Sequence, residues 1–397
     1  MERNLANLFL TKRTNDIRSS AIREILKITV KDSEFLSFAG GLPNPSLLPT
    51  ERLTQATETT IRTKKDVAFQ YGDSTGYEAL KELIFEYFVD EKEDFSKSLC
   101  ITSGSQQGLA ILGQLFMDEN TNVLLENPVY LGALQAFSPY RPHFVSLPME
   151  EDGPSIEALE TILVREKIHC FYANPSYQNP STCTWSIAKR EKVASLLDAY
   201  GVILLEDEAY RYLDFTGTVY PSITSLRKNK DLSFVLGSFS KIISPGFRLG
   251  WVSVPKPYET IFTAIKQGYD LNSNQFSQVV LVQLLRDLDI RKHLQKIQTF
   301  YANQKNHLVR LLEQYLPEVK FQNPLGGMFL WVEYPNVSAK KMMVKLMENK
   351  VVMIPGNEFR LEKSERAFFR MNFSFLPEEQ MEEGVRRIQS VYRDIIT

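Results

Sequence analysis

The chain has 397 residues, 43% hydrophobic and 24% charged, which excludes low-complexity, collagen-like and disordered classes. Lys plus Arg number 46 against 48 Asp plus Glu, a formal net charge of −2. Nucleic acid is therefore not expected as the main partner, although a local basic pocket for a small anion is compatible with that balance.

The first residues, MERNLANLFLTKR, lack the pattern of a signal peptide, and no apolar run reaches membrane-spanning length. Three cysteines, Cys100, Cys170 and Cys183, are too few and odd in number for a disulfide framework and read as reduced cytoplasmic side chains. The four histidines form no zinc pattern, so no metal is expected. Asp16–Val30 predicts an amphipathic helix (Ile17, Ile22, Ile25, Leu26) leading into the loop AGGLPNPSLLP. Short, continuously apolar runs follow at Asn122–Glu126, Ile168–Ala173, Val202–Glu206, Ser233–Gly237 and Leu249–Val254, the pattern of strands covered on both faces. Between them, Ser103–Met117 and Ile187–Tyr200 carry apolar residues at helical spacing. Past about residue 288 come a long helical pattern, short strands, and helices over Ser338–Asn349 and Pro377–Tyr392. The expected fold is α/β: a large doubly wound domain over residues 66–290 with a mostly parallel mixed sheet, plus a smaller α+β domain from residues 1–65 and 291–397.

Six segments carry chemistry. Ser238-Phe239-Ser240-Lys241, with Arg248 close behind, places a lysine just past a buried strand, beside hydroxyls and an arginine that together suit a phosphate. Alone, a surface lysine is the commoner explanation. Val202–Tyr210 ends an apolar strand in acid, with Tyr210 three residues after Asp207; a carboxylate there can keep a ring nitrogen protonated, or be a solvated turn. Thr102–Gly108 opens a helix with small residues, a phosphate site or a simple N-cap. Asn179, before Pro180, offers an amide to an aromatic hydroxyl, or belongs to an ordinary proline turn. Tyr130 offers a ring for stacking on a flat cofactor, or for the core. Arg370 lies inside an apolar strand and needs an anion, from a ligand or from an internal carboxylate.

In this order the segments resemble the fold-type-I, pyridoxal 5′-phosphate-dependent aminotransferases over nearly the whole chain. AGGLP, FQYGDSTGY, TSGSQQ, ENPVY, SYQNPST, EDEAY, SFSKIISPGFRLGW and FRMNFS are most similar to the 2-aminoadipate and kynurenine aminotransferase branch and to the catalytic domain of MocR-type regulators. The resemblance implies roles for individual residues. Lys241 would be the Schiff-base lysine and Asp207 the partner of the pyridine nitrogen. Tyr210 and Asn179 would bind the ring hydroxyl, and Tyr130 would stack on the ring. Ser105, Gln106, Ser238, Ser240 and Arg248 would form the phosphate cup, with Tyr71 reaching the phosphate of a neighbouring subunit in a homodimer. Arg370 would grip the substrate α-carboxylate, with Asn179 and Gly41 beside the substrate.

The implied reaction exchanges the amino group of an L-amino acid (glutamate, 2-aminoadipate, or an aromatic or aliphatic amino acid) with a 2-oxo acid such as 2-oxoglutarate, in amino acid metabolism. Ser20 and Arg23, on the first helix, are candidates for recognising the substrate side chain; local pairing of Arg23 is the alternative. Two competing readings share the fold. A MocR-like regulator is disfavoured because only 38 residues precede Ala39-Gly40-Gly41. A lyase on the same scaffold is disfavoured by Arg370.

Overall fold

The structure, a computed structural model, describes Thr11, Asp32 and residues 34–89 and 98–397. Ser20, Arg23 and the helix expected over 16–30 lie outside the described residues. In chain order the strands are β1 (Leu36–Ser37), β2 (Ser98–Thr102), β3 (Asn122–Asn127), β4 (His143–Glu150), β5 (Gly153–Pro154), β6 (Cys170–Ala173), β7 (Ile203–Asp207), β8 (Ser233–Ser238) and β9 (Gly250–Val254). They form one eight-stranded sheet, apart from β1, in the order β2-β9-β8-β7-β6-β3-β4-β5. The pairs β3–β4, β3–β6, β6–β7 and β7–β8 are parallel. Strand β9 runs antiparallel between β2 and β8.

The apolar runs read from the sequence all lie in this sheet. They are apolar throughout because both faces are covered. Leu109 and Leu112 of α1 (Ser105–Phe116) pack on one face with Phe262, and Leu163, Val193 and Leu197 on the other. Each fully buried Leu or Val of this layer stabilises the fold by about 1.5–3 kcal/mol. The carboxyl ends of β6, β7 and β8 therefore share one edge, where ligands bind in open α/β sheets.

A four-stranded antiparallel sheet follows: β10 (Lys320–Phe321), β11 (Phe329–Tyr334), β13 (Ile354–Pro355) and β14 (Ala367–Asn372), in the order β10-β11-β14-β13. It packs with a 26-residue helix, Ile290–Tyr315, about 39 Å long at 1.5 Å per residue, and with the terminal helix Glu378–Ile396. Strand β1 pairs with β12 (Val351–Val352), and beyond it Phe38 N–H donates to Val352 O and Phe38 O accepts from Asn372 N–H, both at 2.8 Å. These bonds stitch residues 36–41 to the smaller sheet and lay Ala39 and Gly41 along the edge of the larger one. Among the described residues no helix is long and apolar enough to cross a membrane, and no cluster suits a metal ion.

Candidate active site

Lys241 follows β8 in a turn whose Phe239 is fully buried against Phe88 and Trp251. The turn closes by Ile243 N–H donating to Phe239 O at 2.9 Å, and His293 Nε2 contacts Ile242 O at 2.7 Å. This anchoring directs the amine inward: Lys241 Nζ donates to Gly41 O at 2.8 Å and lies 5.9 Å from the Tyr210 ring centre. Burial, with the neighbouring charges of Arg370 and Arg248, brings its pKa down to about 8. Desolvation and like charge both penalise the ammonium, so near pH 8 a large fraction is a neutral nucleophile.

Asp207 closes β7 and is buried. Its Oδ2 accepts from Tyr172 Oη at 2.9 Å and its Oδ1 from Ala209 N–H at 3.2 Å. Burial pushes its pKa up to about 6 against those two bonds. Tyr210, one turn on, is buried and meets Phe329 edge-on at 5.8 Å. Asn179 Nδ2 donates to Tyr210 Oη at 3.5 Å. Desolvation raises the Tyr210 pKa, so the phenol keeps its proton at neutral pH.

Arg370 lies on β14 opposite Trp331 and Ile354 and is 3% exposed. Its Nη1 donates to Asn179 Oδ1 at 2.8 Å and its Nη2 to Ala39 O at 2.7 Å, while among the described residues Nε has no partner. The guanidinium lies over the Phe329 ring at 4.1 Å and the Phe359 ring at 5.1 Å. Among the described residues no carboxylate pairs with it, and burial holds its pKa down at about 10. A buried cation bonded only to neutral oxygens is poised for an anion from outside the chain.

A second anion cradle lies at the amino end of α1. Gly104 precedes it with φ +80°, and no side chain caps the helix, so its first N–H groups face forward. A Cβ on Gly104 would come 2.8 Å from Arg248 Nη2. Arg248 Nη1 contacts Ser240 Oγ at 3.5 Å, and Ser240 N–H donates to Ser238 Oγ at 3.2 Å. Gln106 Nε2 reaches across to Gly132 O at 2.7 Å, beside Tyr130, which starts the helix Leu131–Phe137. A Cβ on Gly132 would stand 2.4 Å from the Tyr130 ring, so glycine there lets the ring lie where it does.

The structure thus gathers Lys241, Asp207, Tyr210, Asn179, Arg370 and the residues of the cup at one edge. Gly41 meets Lys241 through its carbonyl. Tyr71 is 79% exposed and stands outside this cluster. Sequence reasoning missed Tyr172, Ala39, Phe329 and Phe359. Tyr172 had a signal, as the one hydroxyl in the buried run Cys170–Ala173. Ala39 and the two phenylalanines had none, because a backbone carbonyl and a core aromatic look alike wherever they fall.

These residues fit a phosphorylated pyridine aldehyde. The cradle beside Arg248 suits a phosphate, the Asp207 carboxylate suits a basic ring nitrogen, Lys241 offers an amine that its lowered pKa of about 8 makes easier to deprotonate, and Arg370 Nε, unpartnered among the described residues, suits a further anion. The family model for class I and II aminotransferases matches residues 43–388. The 2-aminoadipate transaminase of Thermus thermophilus is 35% identical over 385 residues, covering 96% of this chain and 95% of the relative. The crystal structure of Pyrococcus horikoshii kynurenine aminotransferase, in complex with PMP, superposes with a TM-score of 0.93 at 32% identity, covering 98% of each chain. An α-aminoadipate aminotransferase from Thermus thermophilus, complexed with N-(5′-phosphopyridoxyl)-L-leucine, gives 0.90 at 33% identity, again over 98% of each chain. A part-buried lysine, a buried acid and a buried arginine with no ion pair among the described residues converge at one edge, and in a chain that matches this family from Pro43 to Ile388 they make the protein a pyridoxal 5′-phosphate-dependent aminotransferase of class I and II.

Proposed function

We propose that the chain exchanges the α-amino group of an L-amino acid with a 2-oxo acid, with glutamate, 2-aminoadipate or an aromatic amino acid as donor. The observation that carries this is the convergence of Lys241, in the turn after β8, with Asp207 on β7 and Arg370 on β14, none paired with another. When bound, pyridoxal phosphate supplies an aldehyde carbon and an electron-withdrawing ring. Lys241 would hold the aldehyde through Nζ and, once displaced, carry a proton at Nζ to and from the substrate Cα. Asp207 would keep the ring nitrogen protonated. Tyr210 and Asn179 would donate to the ring hydroxyl, and Tyr130 would pack on the ring face. Ser105, Gln106, Ser238, Ser240 and Arg248 would bind the phosphate.

Arg370 would fix the α-carboxylate with Asn179 and with the backbone near Gly41. That contact sets the Cα–H toward Lys241 and favours transfer over other outcomes. Tyr71, exposed on its own chain, would complete the phosphate site of a second copy, so the working unit is a homodimer with shared sites. A distal carboxylate would be met by Arg23 and Ser20. The names of the relatives support 2-aminoadipate, kynurenine and aromatic donors alike.

The test is the visible spectrum of the pyridoxal-phosphate-loaded protein. Glutamate or 2-aminoadipate should remove the band near the visible edge, and 2-oxoglutarate should restore it. A band unchanged by every amino acid would refute the reaction, and Arg23→Ala with unaltered turnover of dicarboxylic donors would refute that residue's role.

A further inference from the structure

Tyr172 is fully buried in β6, between β3 and β7. Its three strand-mates Cys170, Phe171 and Ala173 are apolar, and its ring packs edge-on against Phe137 at 5.8 Å. Phenylalanine would serve the packing equally well. A hydroxyl in such a place costs free energy unless it is bonded, and its partner is Asp207 Oδ2 at 2.9 Å. The residue is held at two further points: its side-chain Oδ1 accepts from Ala209 N–H, and its backbone carbonyl accepts from Asn174 Nδ2 at 2.6 Å.

The electrostatics point the same way. Burial drives Asp207 toward its neutral acid, and the bond from Tyr172 opposes that shift. The titratable groups acting on Tyr172 are Asp207 on β7, Glu126 on β3 and Tyr130, and all of them, with burial, raise its pKa far above neutrality. The phenol is therefore a permanent donor. It cannot compete with Asp207 for negative charge, and it fixes which face of the carboxylate remains open.

We propose that Tyr172 is a positioning residue for the reaction: through Asp207 Oδ2 it keeps that carboxylate ionised and oriented for the ring nitrogen of the cofactor. This rests on Asp207 pairing with that nitrogen, as proposed above.

The experiment compares wild type, Tyr172→Phe, Asp207→Asn and the double variant, all as full-length protein stripped of cofactor. Equilibrium binding of pyridoxal phosphate is measured from pH 5 to 8. Loss of one charge-assisted hydrogen bond should weaken binding by Tyr172→Phe about 10- to 100-fold at pH 8. The acid-side midpoint, where protonation of Asp207 releases the cofactor, should move to higher pH in the same variant. In the Asp207→Asn background the Tyr172→Phe change should have under about a twofold effect, because the group it acts through is gone.

If Asp207→Asn weakens binding while Tyr172→Phe changes neither affinity nor midpoint, the role of Tyr172 is overturned and that of Asp207 stands. An equal Tyr172→Phe penalty in both backgrounds would mean a packing effect and also overturn it. If Asp207→Asn leaves binding unchanged, both assignments fall.

Discussion

Replacing Arg370 should abolish the distinction between an amino acid and the amine that lacks its α-carboxylate. The guanidinium is buried, two of its nitrogens are bonded to Asn179 Oδ1 and Ala39 O, and Phe329 and Phe359 hold its plane. It is preorganised, so a carboxylate gains its bonds without the entropy cost of ordering the side chain. Two charge-assisted bonds at about 1.5–3 kcal/mol each make about 3–6 kcal/mol. At 1.36 kcal/mol per decade, Arg370→Met should lower kcat/KM for amino acids by about 10²- to 10⁴-fold. Arg370→Lys keeps the charge but offers one bond, so its loss should be about 10- to 150-fold. The assay is the single-turnover rate of the first half-reaction, followed by absorbance, for an amino acid and its decarboxylated amine side by side. Wild type should prefer the amino acid strongly, and the preference should collapse in Arg370→Met because the amine rate is little changed. Circular dichroism and melting confirm that the variant is folded. An undiminished preference in a folded Arg370→Met protein would refute the carboxylate grip. The same variant removes one of the two cations that depress Lys241, so the pH midpoint for cofactor capture should move upward from about 8.

Lys241 should also register in stability. Its folded pKa of about 8 lies below the ordinary 10.5, so the buried ammonium destabilises the folded protein in full below pH 8, and stability recovers as pH rises toward 10.5. Without cofactor, Lys241→Met should melt above wild type at pH 7, with the gap closing by pH 10; a gap independent of pH would contradict the depressed pKa. Gly104→Ala should weaken pyridoxal phosphate binding about tenfold or more, because φ +80° with ψ 164° is a region open essentially to glycine and costs about 1–3 kcal/mol for alanine. The new methyl would also press on Arg248 Nη2, so titrations showing unaltered affinity would remove that cradle from the phosphate site. Finally, Tyr71→Ala and Lys241→Ala proteins, each impaired alone, should regain activity when mixed and allowed to exchange subunits. In an equal mixture about a quarter of the sites would be intact, and no recovery despite proven exchange would argue against shared sites.

The larger sheet was legible because burial on both faces leaves long apolar runs, and its strands fall where those runs lie. Strand β4 escaped notice: it lies next to the edge, with His143 and Pro148 exposed, so it lacks a continuous apolar run. Asp207 and Lys241 could be read because each ends such a run, and adjacent parallel strands bring their ends together. Arg370 could be read as an unaccompanied charge in an apolar strand. Its support could not. Ala39 acts through a carbonyl that any residue would carry, and Phe329 and Phe359 act through their place around the guanidinium.

Those supporting contacts explain how a slightly acidic chain can serve anionic ligands. Lys241, Arg248 and Arg370 converge at one edge, and among the described residues none of them pairs with a carboxylate. The net charge of −2 is spread over the surface, where water and salt screen it, whereas burial, Arg370 and Arg248 together lower the Lys241 pKa at this one edge. Arg370 is destabilising in itself, since it is buried and among the described residues bonds only neutral oxygens. A carboxylate at Arg370 would relieve that cost, and a phosphate would neutralise the exposed Arg248. Each anion would also ease the pressure on the Lys241 ammonium, raising its pKa and readying the amine to hold a proton once it is free of the aldehyde. Binding of the two anions and the protonation state of Lys241 would therefore form one electrostatic system.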